Sequence, residues 1–293
     1  MTAMTDQNIR PRRSVLYMPA ANARALEKAR DIPADALIFD LEDAVAPDAK
    51  DLARGQAAAA AASGEYGHRE VTIRCNGLDT PWGEADIDAA AQAAPAAIVI
   101  PKVDSVAYLD RISERLDQAG APAETRIWAM VETPTAIFDV RAIAAHERVA
   151  VLVMGLNDLA KELRAKQRPG RAALLPHLGP ALAAARESGK AILDGVFNDI
   201  KNAEGFAAEC AQGADMGFDG KTLIHPSQVG PANDTWAPDP NEIDYSRRVI
   251  AAFAEAEADG RGVVTVDGAM IENLHVENAR RTIAVADAIA ALA

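Results

Sequence analysis

Two short apolar runs, residues 127–131 and 149–154, each stop at a polar cluster that carries one acid, Glu132 after the first and Asp158 after the second. Between them, residues 136–146 place Ile137, Val140 and Ile143 at helical spacing, so the stretch reads strand, helix, strand. Such a crossover is right-handed and makes the two strands parallel neighbours. Acids just beyond the same ends of neighbouring parallel strands share one rim and can share a cation. Two carboxylates are too few for a closed calcium cage. They suit Mg²⁺, which takes one or two protein carboxylates and fills its other positions with water and substrate. A plainer reading stands equally open here: Glu132 caps the following helix and Asp158 is a solvated loop acid.

Six further strand-like runs can be read at residues 14–18, 36–40, 70–74, 97–100, 190–193 and, more weakly, 214–218. Segments of helical character separate the eight runs: 21–30, 50–63, 84–94, 106–118, 136–146, 174–188 and 202–212. This alternation predicts an α/β protein, a (β/α)₈ barrel with a C-terminal addition. An open, doubly wound sheet is the other arrangement, but no glycine-rich dinucleotide loop follows any strand. In a barrel, the clusters after the strands converge on the C-terminal face. They are Asp40 with Glu42 and Asp43, Arg74 with Asn76, Lys102, Glu132, Asn157 with Asp158, Asp194 with Asn198, and Lys221 with His225. Singly, each has an ordinary explanation: Asp43 and Lys50 as a surface ion pair, His225 before Pro226 as a turn residue. Acids gathered with Arg and Lys around a cation serve stability poorly, and together they favour a catalytic site.

The formal net charge of −13 repels phosphate backbones and argues against nucleic acid as a partner. The two cysteines, Cys75 and Cys210, lie far apart without metal-ligand spacing, so neither a disulfide framework nor a zinc site is expected. A reduced, cytoplasmic setting follows. No apolar run suits a signal peptide or a membrane span. Residues 1–12 read as a flexible arm, 13–235 as the barrel, and 236–293 as an extension for a lid or oligomer contacts. In that extension a helix begins near Glu242 after a proline-rich linker, an extended piece at 263–266 turns at Asp267-Gly268, and a last helix covers about 276–292.

Eight stretches, in order, resemble one known family: RSVLYMPA (13–20), LIFDLEDAVAP (37–47), TIRCNG (72–77), VIPKVDS (99–105), MVETPTAI (130–137), GLNDLA (155–160), GFDGKTLIHPSQV (217–229) and DGAMIENLHVENARR (267–281). The chain is similar over nearly its whole length to the citrate lyase beta-subunit-like branch of the HpcH/HpaI aldolase superfamily, which includes malyl-CoA lyases and thioesterases. The resemblance implies a TIM barrel with Glu132 and Asp158 as ligands of Mg²⁺, or Mn²⁺ in its place, and Glu132 also at the substrate. It implies that Arg74 grips the oxo-acid oxygens, a task for which a planar guanidinium fork is better shaped than an ammonium. Glu42 and Asp43 match an acidic pair that orders water at the metal, and Tyr17, Arg24 and Lys28 match positions that receive coenzyme A. Two departures stand out: Glu272 replaces the aspartate of the family's final motif, and Asn202 stands where Asp is usual.

The implied reaction is a reversible Claisen-type cleavage of a 3-hydroxyacyl-CoA such as malyl-CoA into glyoxylate and acetyl-CoA. Glu272 is the candidate acid for the acetyl proton, with the alternative that it merely begins the last helix. A thioesterase using the same metal and coenzyme A sites is the runner-up. A citrate lyase beta-subunit-like component and a non-catalytic metabolite-binding barrel complete the alternatives. The resemblance implies a homotrimer or hexamer, with a CoA thioester and an oxo acid as small-molecule partners.

Overall fold

Short apolar runs, each followed by a helix, build eight parallel strands in the computed structural model, which describes residues 9–292. They are β1 (Ser14–Pro19), β2 (Ala36–Asp40), β3 (Glu70–Arg74), β4 (Ala97–Ile100), β5 (Arg126–Val131), β6 (Val149–Met154), β7 (Ala191–Asp194) and β8 (Gly220–Leu223). Each pairs with its neighbour in sequence, and β1 also pairs with β8, so the sheet closes into a barrel. The expected (β/α)₈ fold is therefore the one observed. Around it lie α1 (Ala23–Lys28), α2 (Lys50–Ala62), α3 (Gly83–Ala93), α4 (Val106–Gln118), α5 (Pro134–Ala145), α6 (Leu156–Glu162), α7 (Leu175–Glu187), α8 (Ala203–Met216) and α9 (Val229–Thr235).

The barrel interior is filled by residues that alternate along the strands: Val15, Ala36 and Ile38, Ala97 and Val99, Trp128 and Met130, Val151 and Val153. Side chains two apart share a face. Extending the period by one step carries Ile38 to Asp40 and Met130 to Glu132 at the C-terminal mouth. The core thus dictates which polar residues reach the site. At the opposite end, Arg13 forks onto Asp35 at 2.8 and 2.9 Å, and Arg12 forks onto Glu70 at 2.6 and 2.8 Å. Residues 1–8 of the expected arm lie outside the described residues; Arg12, at its expected end, is anchored by Glu70 and lies 5.5 Å over the Trp128 ring.

The eighth strand differs from expectation. Residues 214–216 finish α8, Gly217 ends it in the left-handed region at φ 98°, and β8 begins at Gly220. Lys221 is the misleading residue, because a lysine inside a strand reads as a loop. Here it is fully buried and joined to Asp194 at 2.9 Å and Glu209 at 2.8 Å. Asn202, the second departure from the family pattern, caps α8 by accepting from the Gly205 N–H at 2.9 Å, which Asn does as well as Asp.

The chain divides into two compact units, Arg12–Thr235 and the part from Trp236 onward together with residues 9–11. In the second, Asp239 caps α10 (Pro240–Ala258) by accepting from the N–H groups of Asn241 and Glu242 at 2.7 and 2.9 Å. A hairpin of β9 (Val264–Val266) and β10 (Ala269–Ile271) turns at Asp267-Gly268, both left-handed, as a two-residue hairpin loop requires. It leads into α11 (Asn273–Ala290), and Val249, Phe253, Val266, Ile271, Val276 and Ala279 form a core of the unit's own. No helix of the described residues is long and apolar enough to cross a membrane.

Candidate active site

The C-terminal mouth of the barrel opens into a cavity of about 430 Å³ lined by Tyr17, Asp40, Asp43, Arg74, Glu132 and Asp158 among others. Glu132 directly follows β5 and Asp158 lies in the first turn of α6, just after the neighbouring strand β6. Glu132 is nearly buried, and its Oε1 accepts from the Lys102 backbone N–H at 2.7 Å. Lys102 presents that N–H from a left-handed conformation, φ 49°, that residues other than glycine adopt only under constraint. The Lys102 ammonium reaches Asp158 Oδ1 at 3.7 Å. On the other side of Glu132 lies Gly155. A Cβ there would sit 2.2 Å from Glu132 Oε2 and 2.4 Å from its Cβ, closer than any side chain can lie. Gly155→Ala is therefore expected to push Glu132 aside, lowering turnover on the order of 10²-fold through misplacement alone. Calorimetric titration with Mg²⁺ checks this; unchanged affinity would show that the Glu132 position does not matter.

Arg74 is buried at the end of β3, directly opposite Asp40 in the β2–β3 register. Its Nε and Nη2 both donate to the Asp40 carboxylate at 2.6 Å, and its guanidinium lies 4.8 Å from the Tyr17 ring centre. The two-pronged grip expected for a substrate is thus spent on Asp40. What remains is Nη1, at 2.8 Å from Glu42 Oε2 and 3.4 Å from Asp43 Oδ2. Asp40 also accepts from the N–H groups of Glu42 and Ala44 at 2.9 and 3.1 Å, so one carboxylate shapes the whole loop after β2. Arg74→Lys should remove one of the two charge-assisted bonds to Asp40, whose oxygens keep their main-chain donors, and cost about 1.5–3 kcal/mol of stability, measurable by urea unfolding. Stability equal to the parent would mean that the fork is not needed.

The same loop is held from below by Lys50. It is buried and donates to the carbonyls of Leu41 and Glu42, both at 2.7 Å, and to Asn76 Oδ1 at 2.9 Å. The surface pair of Asp43 and Lys50 considered from sequence is therefore replaced by a buried lysine that fixes the main chain carrying Glu42.

Burial, then the charges of Glu42 and Asp158, push Glu132 up to about 7, against the pull of the Lys102 N–H and Arg74. Burial likewise raises Glu42 to about 7, with Asp43 and Asp40 adding to it and Arg74 opposing. Burial also raises the Tyr17 phenol. Crowded carboxylates with too little positive charge around them are what a bound divalent cation would neutralise. The donors are hard oxygens from two residues, Glu132 and Asp158. No group of three or more His, Cys, Asp or Glu side chains is arranged for a metal among the described residues. That composition fits Mg²⁺ with water and substrate completing its shell, and does not fit zinc or a closed calcium cage.

Of the residues singled out from sequence, Tyr17, Asp43, Arg74, Glu132 and Asp158 line the cavity, and Glu42 joins them through Arg74. Arg24 and Lys28 lie one turn apart on α1, exposed and outside the cavity lining. Glu272 belongs to the C-terminal unit; it is exposed, holds the N-cap position of α11, and donates its backbone N–H to His275 Nδ1 at 3.0 Å. Asp194 and Lys221, read as mouth residues, are instead locked with Arg171 and Glu209 in a buried ion network. Sequence reading placed Asp40 and Lys102 at the mouth without their positioning roles, and it missed Gly155, for which the local pattern gives no signal.

Comparison with known proteins gives the family. The family model described as HpcH/HpaI aldolase/citrate lyase matches residues 13–226. The chain is 51% identical over 281 residues to a (3S)-malyl-CoA thioesterase of Cereibacter sphaeroides strain KD131, covering 96% of both chains. It is 34% identical to the citrate lyase subunit beta of Escherichia coli K12, over 97% of this chain and 96% of that one. Among solved structures, CitE of Mycobacterium tuberculosis in complex with magnesium, acetoacetate and coenzyme A superposes with a TM-score of 0.78 at 27% identity, covering 94% of this chain and 98% of the other. The resemblance read from eight motifs is borne out, and the chain belongs to the HpcH/HpaI aldolase/citrate lyase family of enzymes.

Proposed function

We propose that the protein is a divalent-cation-dependent thioesterase acting on a malyl-CoA-type 3-hydroxyacyl thioester in the barrel cavity. The observation that carries this is the placement of Glu132 and Asp158 just beyond the ends of neighbouring strands, in one cavity with Arg74. The 51% identity to a malyl-CoA thioesterase directs it to hydrolysis. Glu132 and Asp158 would hold Mg²⁺, or Mn²⁺ in its place. A bound cation supplies Lewis acidity for the oxygens of the hydroxy or oxo acid. Arg74, kept rigid by Asp40 and Tyr17, offers Nη1 to the acid's carboxylate. Glu42 and Asp43 order a water molecule, and Glu42 takes its proton as the water oxygen attacks the thioester carbonyl carbon. The C–S bond then breaks, and the proton passes from Glu42 to the departing thiolate, giving a free acid and coenzyme A. Tyr17, Arg24 and Lys28 receive the coenzyme A portion.

The second reading is reversible carbon–carbon cleavage to glyoxylate and acetyl-CoA, favoured by the similarity to citrate lyase subunit beta. It needs an acid for the acetyl methyl group. Glu272 would supply it from a neighbouring copy, in a homotrimer or hexamer. Incubation with Mg²⁺ and malyl-CoA, followed by separate assay of malate, glyoxylate and acetyl-CoA, decides the matter. Malate with free coenzyme A and no glyoxylate is the expected result. Glyoxylate with acetyl-CoA in equal amounts would establish cleavage, and no turnover of either kind would refute both.

A further inference from the structure

Between α6 and α7, residues 164–171 read RAKQRPGR: four cations and no acid, in a chain whose formal net charge is −13. Arg164 and Arg171 at its ends hold left-handed backbone at φ 53° and 41°. This segment forms one side of a cavity of about 580 Å³; the β7–α8 connection and the start of α8 form the other, through Phe197, Asn202 and Gly205. Lys166 and Arg168 are exposed on its rim. Arg171, only 5% exposed, lines its inner part. The Arg171 guanidinium donates from Nη1 to Asp194 at 2.6 Å and from Nε to Gln212 at 2.8 Å, while Nη2 is buried without any partner. A buried guanidinium N–H pair left unpaired is costly unless something accepts from it. Two acids, Asp199 and Glu209, also line the cavity, and Glu209 is already neutralised by Lys221 at 2.8 Å. The balance at the cavity is cationic, against the sign of the whole molecule.

We propose that this cavity is a second binding site, for a small organic anion carrying a phosphate or carboxylate group, with Arg171 as its buried anchor. Lys166 and Arg168, exposed on the rim, draw the anion in. The site adjoins the candidate active site. The two cavities share Leu156, Asn157, Val196 and Asn198, and the side chains of Asn157 and Asn198 exchange hydrogen bonds at 2.7 and 3.2 Å. An occupant would therefore press on the residue next to Asp158. Two sources share this chemistry: a free anion, or a phosphate on the carrier arm of the thioester. The second rests on the thioesterase reading.

The test is calorimetric titration of inorganic phosphate into the full chain, at constant ionic strength and without divalent cations. Parent protein is compared with a Lys166→Gln/Arg168→Gln variant, with Ala208→Glu and with Glu132→Gln. Ala208 is exposed on α8 and lines the cavity, so a glutamate there provides an internal carboxylate without burying anything new. The expected result is one saturable site per chain in the parent and in Glu132→Gln. Affinity should weaken about tenfold in the double variant and vanish in Ala208→Glu. Repeating the titration with saturating coenzyme A separates the sources: undiminished phosphate binding identifies a free anion, and displacement identifies the carrier arm. Equal binding in all four proteins, or no saturable binding in the parent, overturns the proposal. Because Glu132→Gln keeps the phosphate site while disabling the cation site, failure of the thioesterase reading leaves this result intact.

Discussion

Glu132→Gln is expected to abolish turnover while leaving the protein folded, and Asp158→Asn to do the same. The proposed cation site has two protein carboxylates, and removing one leaves the hydrated ion little reason to stay. The amide oxygen that replaces a Glu132 carboxylate oxygen can still accept from the Lys102 N–H, so the bond at 2.7 Å and the left-handed turn behind it survive. What disappears is a charge already opposed by burial and by Glu42 and Asp158. In excess chelator the variant should therefore melt no lower than the parent. The thermal stabilisation that Mg²⁺ gives the parent should be absent, and calorimetry should register no Mg²⁺ binding. Parent-like turnover in Glu132→Gln, or full activity of the parent in excess chelator, would remove the cation from the mechanism.

Asp194→Ala is expected to produce the largest loss of stability, about 3–5 kcal/mol, because it strands buried cations. Asp194 and Lys221 are fully buried at 2.9 Å from each other, and Arg171 reaches the other Asp194 oxygen at 2.6 Å. Burial alone would raise Asp194; Lys221 and Arg171 outweigh it and hold the carboxyl below its ordinary value. A carboxyl depressed in the folded state contributes stability above its unfolded value of about 3.9, lost as pH falls through the lower folded value. The gap between parent and variant should thus be full at pH 7 and shrink below about pH 4. Urea unfolding at both pH values measures it. A second change, Lys221→Met, should restore part of the loss. A gap under about 1 kcal/mol at pH 7 would show that the network is solvated, as exposed pairs are.

Strands were legible where side-chain type and burial agreed, as in 36–40 and 127–131, whose unbroken apolar runs suit strands buried on both faces. They were illegible where tertiary pairing overrode residue type. Lys221 sits in a strand because Asp194 and Glu209 neutralise it, and nothing local to 214–223 signals that. The seven-residue α6 is too short to show a period, and Ala269–Ile271 forms a strand only through pairing with β9. At the site, charge and position made Glu132, Asp158 and Arg74 readable. That the Arg74 fork faces Asp40, that a lysine main chain holds Glu132, and that Gly155 makes room for it are matters of backbone direction. A one-dimensional pattern does not encode them.

Barrel closure also bears on how the chain is made. β1 meets β2 after a single helix, but its other edge stays unpaired until β8 is synthesised, and the bond from Ser14 Oγ to Asn233 Oδ1 spans 219 positions. A growing polypeptide on the ribosome thus carries an open sheet with two bare edges through most of its synthesis. Such edges template pairing with other chains. Holdase chaperones that shield strand edges would therefore matter most just before Leu223 emerges, and release of the last strand would be the moment at which the nascent chain stops being sticky.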